Sequence, residues 1–529
     1  MMRSLLRALR PSRPHGEEGY ALVLTIGMAS ILAILVTTVT AVTIRETRQS
    51  TDDRNRQAAL AAADAGIDDY LYRLNRNQDY WVWPAAGSPP DGNDAFTQFV
   101  DVPGTSGAEF TYSVDASDLP TTGNIYLTAT GRVDGETRTV TTQLRRQNFL
   151  NYLYFTEYET LSPLVYPYNG LTQAQAEVVC RRHVYDNPAR DSRCIQINWA
   201  TGDVVNGPFH TNDRFVVYGR PEFRGPATGS APGNLYSVNS YDGAVFQPGY
   251  PRRADRLTMP PSNQSIRREA DHTIGGDGCL YTGPTEIEFV GTQMWVTSPQ
   301  TQSSGAGCGS WPGGRQRVDL PSNGVVYVQN VPAAQSVSGC GGGNGLGYPY
   351  DSARQDHITY DCRAGDAFVE GTVDGRVTVA SENNLAIIWH ITRADRSANS
   401  DDIIGLVAQN LVQIYHPVSS AGTQRRAGPN HPTQYFYNPQ IDAAILSVTG
   451  SFLVPNWNQG LPLGDISVTG AIAQVFRGPV GLVNGSTGYF KDYVYDQRFT
   501  YQSPPHFIDP VEGQWEVSVY AECPGGTCT

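Results

Sequence analysis

The 529-residue sequence is short of positive charge. Its 38 lysine and arginine residues are outnumbered by 51 aspartate and glutamate residues, giving a net charge of −13 at pH 7. Only Lys491 is a lysine. Proteins that bind DNA or RNA carry clustered cations that displace counterions from the phosphates. No basic face of that kind is visible, so we expect no nucleic-acid partner.

The sequence also lacks the short motifs of common enzymes. It contains no G-x-S-x-G elbow, P-loop, G-x-G-x-x-G after a strand, H-E-x-x-H or EF-hand loop. It has no C-x-x-C and no histidine pair at zinc-ligand spacing. We therefore expect no enzymatic activity, no cofactor and no metal site.

Charge is absent from residues 20–44, YALVLTIGMASILAILVTTVTAVTI. As a helix this run is about 38 Å long, more than the roughly 30 Å of a bilayer core, and it exceeds the apolar core of a cleaved signal peptide. Residues 20–44 are thus predicted to cross the membrane once. Residues 1–19 form a basic tail or leader, and the arginines there place the N-terminus in the cytoplasm: Arg3, Arg7, Arg10 and Arg13. Everything after the span is then extracellular.

The helical pattern continues beyond the predicted span. No proline occurs between residues 45 and 83, and the segment is rich in Ala, Leu, Arg and Gln, which predicts one helix over about residues 20–77. Apolar residues recur there at steps of three and four: Leu60, Ala63, Ile67, Tyr70, Leu71 and Leu74. Asp64, Asp68 and Asp69 lie off this stripe, so the stripe needs a packing partner.

A β-hairpin is the predicted partner for the stripe. IYLTATGRV and ETRTVTTQLR flank Asp134-Gly135, and a D-G pair supplies the positive φ angles of a type I′ turn. A strand near residues 110–114 completes a small meander. We expect residues 45–147 to form one α/β unit, with an independent hairpin domain as the alternative.

Two stretches of this region carry a family resemblance. EEGYALVL and RQAALAAADAGIDDYLYRL resemble the N-terminal region of PilX-like type IV pilus assembly proteins, over about residues 16–78. The resemblance implies a pilin-like helix and other pilus-like subunits as partners. It also implies leader cleavage after a glycine, either Gly19 before Tyr20 or Gly16 before Glu17. Counting from Tyr20, the fifth residue is Leu24, where major pilins carry glutamate, which favours a minor or accessory role.

The remainder, residues 148–529, is predicted to be an extracellular β-rich domain. Short β-prone runs such as DRFVVYG, NGVVYVQNV and NLAIIWHIT alternate with Gly, Asn, Pro and Asp, and only LTQAQAEVVCRR looks helical. Segments such as NFLNYLYFTEYETLSP resemble regions that follow PilX-like N-termini in large bacterial surface proteins. A parallel β-solenoid is favoured, with an antiparallel β-sandwich as the alternative. The predicted fold class is α+β.

All eight cysteines follow the predicted span. An even number confined to the outer side favours disulfides formed in an oxidising compartment. Their positions fall into four neighbouring couples: Cys180 with Cys194, Cys279 with Cys308, Cys340 with Cys362, and Cys523 with Cys528.

Several polar groups are candidates for chemistry, each with a structural alternative. His210, Asn212 and Asp213 suit catalysis or cation binding, although Asn and Asp are also typical turn residues. Glu157 and Glu159 suit glycoside hydrolysis, or simply a solvated strand face. Weaker candidates are Asp401 with Asp402, and Asp351, Asp356, His357 and Asp361 around Cys362. Tyrosine-rich loops such as GYPYDS and YFYNPQ suit stacking on cell-wall glycans or cross-strand pairing.

The sequence therefore predicts a non-enzymatic structural protein. We expect a minor pilin-like or accessory component of a type IV pilus-like apparatus, held by one helix and displaying a β-rich exterior at the cell surface. Two alternatives stay open: a membrane-tethered β-solenoid enzyme acting on polysaccharide, and an adhesin independent of any pilus.

Overall fold

A computed structural model describes residues 18–77, 79–82, 92–119, 123–146, 148–166, 170–340, 343–350, 358–511 and 513–523. It consists of a long helix lying on a small antiparallel sheet, joined to a large body of mainly parallel strands. The predicted α+β class is confirmed. We call residues 148–514 the β-rich body.

The long helix α1 spans Glu18–Arg76, close to the predicted bounds. Its apolar stripe faces the sheet as predicted: Ala63, Tyr70 and Leu74 are fully covered, and Leu60 and Leu71 are partly buried. These side chains pack with Ile125 and Leu144 of the small sheet. Contacts with the sheet therefore stabilise this half of the helix.

The small sheet begins with a meander beside α1. Its strands follow in chain order: β1 Val100–Asp101, β2 Ala108–Asp115, β3 Asn124–Val133 and β4 Glu136–Arg146. Between β3 and β4, Asp134 and Gly135 have φ angles of 47° and 85°. Positive φ at both central residues is the type I′ conformation that the D-G pair predicts.

The fifth strand of the small sheet comes from the far end of the chain. Trp515–Glu522 pairs antiparallel with β4, although the sequence assigns it to the exterior. The chain thus leaves the sheet after β4 and returns to the same edge. The β-rich body is inserted between two neighbouring strands of the small sheet.

The strands of the body form two long ladders and one short one. In the order of pairing, the first ladder is β15 Cys279–Thr282, β19 Val325–Gln329, β21 Arg376–Ser381, β23 Ile403–Ala408, β26 Ala444–Ser447, β28 Pro462–Phe476, β5 Tyr154–Tyr158, β8 Phe209–Thr211, β11 Ala227–Gly229 and β14 Arg252–Arg253. Every pairing in this ladder is parallel.

The second ladder runs beside the first. In the order of pairing, its first strands are β18 Gln316–Asp319, β17 Gln293–Thr297, β16 Thr285–Gly291, β20 Ala367–Val373 and β22 Leu385–Arg393. β22 pairs with both β24 Val412–Ile414 and β25 Gln440–Ile441; β24 then pairs with β27 Phe452–Leu453, and β25 pairs with β28. From β28 the ladder continues through β29 Gly488–Tyr495, β7 Val204–Asn206, β10 Glu222–Phe223 and β13 Val245–Phe246. Only β16, β17 and β18 pair antiparallel among these described strands. An antiparallel sandwich requires the opposite pattern.

The third ladder is β6 Asn198–Ala200, β9 Phe215–Gly219 and β12 Tyr236–Asp242, again parallel. The strand Trp515–Glu522 of the small sheet, described above, is β30. The short helices are α2 Gln173–Cys180 and α3 Gln264–Ala270, and 3₁₀ turns lie at Tyr80–Val82, Asp94–Phe96, Phe149–Asn151, His272–Ile274 and Gln497–Thr500.

The order of stacking differs from the order along the chain. β5 stacks on β28, and β7 stacks on β29, so the segment with β5 to β14 follows the end of the segment with β15 to β29. The chain between β14 and β15 must therefore run back along the whole stack. It does so over the outer face of the first ladder, where Leu257, Ile266 and Ala270 pack on Val325, Ala380 and Val407. We call residues 254–278 the strap.

Polar side chains also form a chain from strand layer to strand layer. Asn410 donates from Nδ2 to Asn383 Oδ1 at 2.7 Å, and Asn383 donates from Nδ2 to Asp366 Oδ1 at 2.7 Å. These residues occupy equivalent corners of three successive layers. Asp366 Oδ1 also accepts from the Asn384 amide at 3.0 Å, so these side chains link successive layers through hydrogen bonds.

Three disulfides lie in the described body: Cys180–Cys194, Cys279–Cys308 and Cys340–Cys362. Each joins neighbouring cysteines, and the second fastens a loop to β15, which contains Cys279. Cys523 is disulfide-bonded as well. Its predicted partner, Cys528, lies outside the described residues.

The small sheet and the body are joined by more than the chain itself. Arg145 of β4 donates to the backbone carbonyls of Phe499 and Gln502, the latter at 3.0 Å. Asn124 of β3 donates to the Tyr501 carbonyl at 2.9 Å. These contacts fix the body to the sheet at residues 499–502.

Candidate functional site

The first half of α1 is an exposed apolar surface. Every residue from 20 to 44 is exposed, including Leu24, Ile31 and Leu35, whose exposed fractions are 59%, 61% and 55%. Length and composition make this helix able to cross a membrane. The same helix is first buried at Asn55. One helix therefore has an unpartnered half and a packed half.

Hydroxyl groups in the exposed half are bonded within the helix. Thr25 donates to the Ala21 carbonyl, Thr37 to the Ala33 carbonyl and Thr43 to the Val39 carbonyl, each at 2.9 Å. Polar groups satisfied in this way need no water. The surface can therefore face lipid or other apolar helices.

One of the two predicted cleavage positions, after Gly19, lies at the start of this helix. Gly19 and Tyr20 belong to α1, and Tyr20 is 78% exposed. Gly16 and Glu17 lie outside the described residues.

The polar candidates Glu157 and Asn212 meet in one cleft of the body. Asn212 donates from Nδ2 to Glu157 Oε2 at 2.6 Å, and Glu157 Oε1 lies 3.1 Å from His183 Nε2. His183 Nδ1 lies 3.1 Å from Asp186 Oδ2, and Arg256 adds a contact with His183 Nδ1 at 3.0 Å. The cleft encloses about 410 Å³. The sequence did not single out His183, Asp186 or Arg256, although HVYD holds two of them within four residues.

His210 lies behind the cleft and is fully buried. Its Nε2 is 3.1 Å from Asn212 Oδ1, and its Nδ1 is 2.8 Å from Thr228 Oγ1. Burial lowers the pKa of His210 to about 4, so the ring is neutral at physiological pH. Its two hydrogen-bond partners fix it in place.

Asn212 ties the strap to the stack. Its side chain donates to the Leu257 carbonyl at 2.7 Å and accepts from the Leu257 amide at 3.1 Å. These bonds reach across the fold, whereas a turn residue would bond to its own neighbours. A simple turn therefore does not account for Asn212.

Glu159 and Asp213 are buried away from the cleft. Glu159 Oε2 accepts from Arg477 Nη1 at 3.0 Å, and both side chains are 0% exposed. Asp213 pairs with Arg190 and accepts from the Glu159 amide at 3.0 Å. Burial raises the pKa of Glu159, and the Arg477 charge opposes that shift. Glu159 is thus not on a solvated face, and it is not placed beside Glu157 in the cleft.

The remaining candidates have backbone partners. Asp402 accepts from the Gly375 amide at 2.7 Å and the Asp395 amide at 2.8 Å, whereas Asp401 is exposed. Asp361 accepts from the Arg363 amide at 2.7 Å. Asp351, Asp356 and His357 lie outside the described residues. Within the described ranges, no cluster of three acidic, His or Cys side chains suits a metal ion.

The tyrosine loops divide into buried and exposed members. Tyr348 of GYPYDS is buried and stacks on Phe368 with ring centroids 4.5 Å apart. Tyr437 of YFYNPQ is 45% exposed. Tyr348 therefore covers part of the sheet, because its ring packs on the apolar face beneath it.

No family model matches the sequence, and no curated protein matches it. One similar solved structure is the crystal structure of the competence-associated pilin ComZ from Thermus thermophilus. The similarity covers 89% of this chain and 97% of that chain, with 12% sequence identity and a TM-score of 0.23.

Proposed function

We propose that this protein is a minor pilin-like or accessory component of a type IV pilus-like surface apparatus. The observation that carries the proposal is the division of α1 into an exposed apolar half and a half packed on an antiparallel sheet. The exposed half would lie in the membrane or among the helices of other subunits. The resemblance of residues 16–78 to PilX-like proteins supports the same role.

The attachment of the body suits display outside the cell. Both ends of the body enter the small sheet, one through β4 and the other through β30. The hydrogen bonds from Arg145 to the carbonyls of Phe499 and Gln502 hold the body to the sheet at a third place. A body held at several points keeps its orientation relative to the helix.

The body itself is proposed to be a β-solenoid. Parallel ladders in which successive layers stack, and the side-chain chain from Asn410 through Asn383 to Asp366, support this architecture. The disulfides fit an oxidising environment outside the cytoplasm.

We further propose that the body is not an enzyme. Glu159 and Asp213 are each paired with a buried arginine, and Glu157 shares its two oxygens between Asn212 and His183. A glycosidase requires two carboxyl groups facing one bond of the substrate. The test is incubation with cell-wall glycans while new reducing ends are measured. Turnover that Glu157→Gln abolishes would contradict this proposal.

The pilin-like role is tested by the N-terminal residue of the mature protein. Mass spectrometry of the chain from a host with a prepilin peptidase should give a start at Tyr20 or Glu17. The same chain from a host without the peptidase is the control and should keep its leader. An uncleaved tail in both hosts would support a simple membrane anchor instead.

A further inference from the structure

One end of the stack has no covering layer among the described residues. The last strands are β12, β13 and β14, and each pairs along one edge only. The opposite end is covered differently, because β17 and β18 extend the sheet beside β16 and the Cys279–Cys308 disulfide fastens the adjoining loop. Terminal layers of stacked-strand proteins ordinarily need a cap. We call the uncovered end the mouth.

The register identifies which side chains point into the mouth. Arg253 continues the column of Thr211 and Gly229, two residues from the buried core residue Phe209. Side chains alternate along a strand, so Arg253 is on the inner side and Arg252 is on the outer side. Arg253 is exposed because no further layer follows it.

Two arginines and two tyrosines line a cleft at the mouth. The cleft encloses about 630 Å³ and is lined by Arg214, Tyr236, Tyr250 and Arg253 together with small and apolar residues. None of its described lining residues is acidic. This absence is notable in a chain with a net charge of −13. The mouth is a local cationic site on an acidic protein.

Contacts with neighbouring residues hold the side chains of the cleft in position. Arg214 donates from Nε to the Asn234 carbonyl at 2.9 Å, which leaves its terminal nitrogens without a hydrogen-bond partner among the described residues. Tyr250 is 79% exposed and its ring centroid lies 6.2 Å from Phe246, which in turn lies 5.4 Å from Tyr236. Arg253 has no ion-pair partner among the described residues. Cationic and aromatic groups are thus oriented toward the cleft without being consumed by internal contacts.

We propose that the mouth binds an anionic saccharide chain. Arginine pairs with carboxylates in a two-pronged geometry, and tyrosine offers a flat apolar face for the C–H surface of a sugar ring. Charge complementarity selects an acidic ligand. Nucleic acid is disfavoured because its dense phosphates need more cations than this site holds, and the surrounding acidic surface repels it. The inference does not depend on the pilin-like role of α1.

The test is affinity electrophoresis of the full chain in detergent through gels containing alginate, a uronic-acid polymer. Alginate should retard the protein, and dextran, a neutral polymer, should not. Arg253→Gln and Tyr250→Ala should each weaken alginate binding at least about fivefold. Arg252→Gln is the matched control, since it removes the same charge from the neighbouring residue on the opposite face. Its binding should stay within about twofold of the unsubstituted protein.

Three results would overturn the proposal. One is equal retardation by dextran, which would remove the role of charge. Another is an equal loss in Arg252→Gln and Arg253→Gln, which would indicate general surface attraction. The third is tight binding of single-stranded DNA, an acidic peptide or a second copy of the chain at the mouth without alginate binding. Leader cleavage should be unchanged in Arg253→Gln, so failure here is separable from failure of the pilin-like role.

Discussion

Arg477 lies where the segment with β5 to β14 stacks on the end of the segment with β15 to β29. We call this contact between the two segments the joint. Arg477 pairs with Glu159 on β5's side of the joint and donates to the carbonyls of Ile197 and Asn198 at 3.2 and 3.1 Å. Its guanidinium also lies 3.9 Å from the centroid of the Trp199 ring. One side chain thus satisfies groups from strands that are far apart in sequence.

Replacing Arg477 by methionine should destabilise the body strongly. The substitution leaves the Glu159 carboxylate buried without its partner, which costs about 3 to 5 kcal/mol. Thermal unfolding of the full chain in detergent should show a lower Tm. Arg224→Met is the control, because the Arg224–Glu222 pair is 44% and 37% exposed and should contribute less than about 1 kcal/mol. Equal Tm values for the two variants would contradict the role of the joint.

Asp366 should make stability depend on pH. Burial raises its pKa from 3.8 to about 7 in the folded protein. Between these values the folded state holds a proton that the unfolded state has lost, so stability falls as pH rises from about 4 to about 7. Above that range the loss is complete, at about 2 to 4 kcal/mol.

The Asp366→Asn variant checks this directly. An amide cannot ionise, so the part of the pH dependence due to this residue should disappear from urea unfolding measured between pH 4 and 8. Asp319→Asn, at an exposed position, is the control. A steeper fall in the Asp366→Asn variant would show that the sign of the argument is wrong.

At the scale of single residues, the sequence identified candidate site residues better than it identified their contacts. Glu157 and Asn212 were identified as candidates, and the structure brings them together. Their partners His183 and Leu257 lie 26 and 45 residues away from them, respectively. Contacts of that kind depend on how layers stack, and no local pattern reports it.

At the scale of elements, the backbones of α1 and β3 come close together at Gly131. A Cβ atom at this position would lie 2.0 Å from the Ala59 carbonyl oxygen and 2.4 Å from the Ala63 amide nitrogen. The neighbouring atoms belong to backbone and cannot rotate away. Glycine is therefore required for the helix to rest directly on the sheet.

Gly131→Ala should push the helix off the sheet. Overpacking at a backbone contact costs about 3 kcal/mol, and hydrogen exchange of residues 59–74 should become faster. Gly314→Ala is the control, because its added Cβ would meet nothing within 4 Å. Unchanged exchange in Gly131→Ala would mean that the helix and sheet are further apart than described.

Elements with local signals were predictable, and the others were not. The helix stripe and the Asp134-Gly135 turn appear in short stretches of sequence, and both are found as predicted. The pairing of β30 with β4 joins residues that are 369 to 382 positions apart, and α3 in the strap is only seven residues long. Neither leaves a periodic pattern long enough to detect.

The whole molecule combines two parts with different requirements. The small sheet and half of α1 form a conventional packed core, whereas the exposed half of α1 requires an apolar environment. Insertion of the body between β4 and β30 connects the two without a flexible tether. Such an arrangement places the mouth on a body whose position is set by the small sheet. The sequence predicted the parts, but the insertion depends on the return of the C-terminal strand.

Display of the body outside the cell is tested most directly by its exposure to antibody on intact cells. Cells producing the full chain with an epitope tag inserted after Gly314, in an exposed loop, are incubated with antibody before and after permeabilisation. We expect full antibody binding without permeabilisation and retention of the chain in the membrane or in sheared surface fibres after a high-salt wash. Signal that appears only after permeabilisation, or a chain released by salt alone, would contradict this expectation.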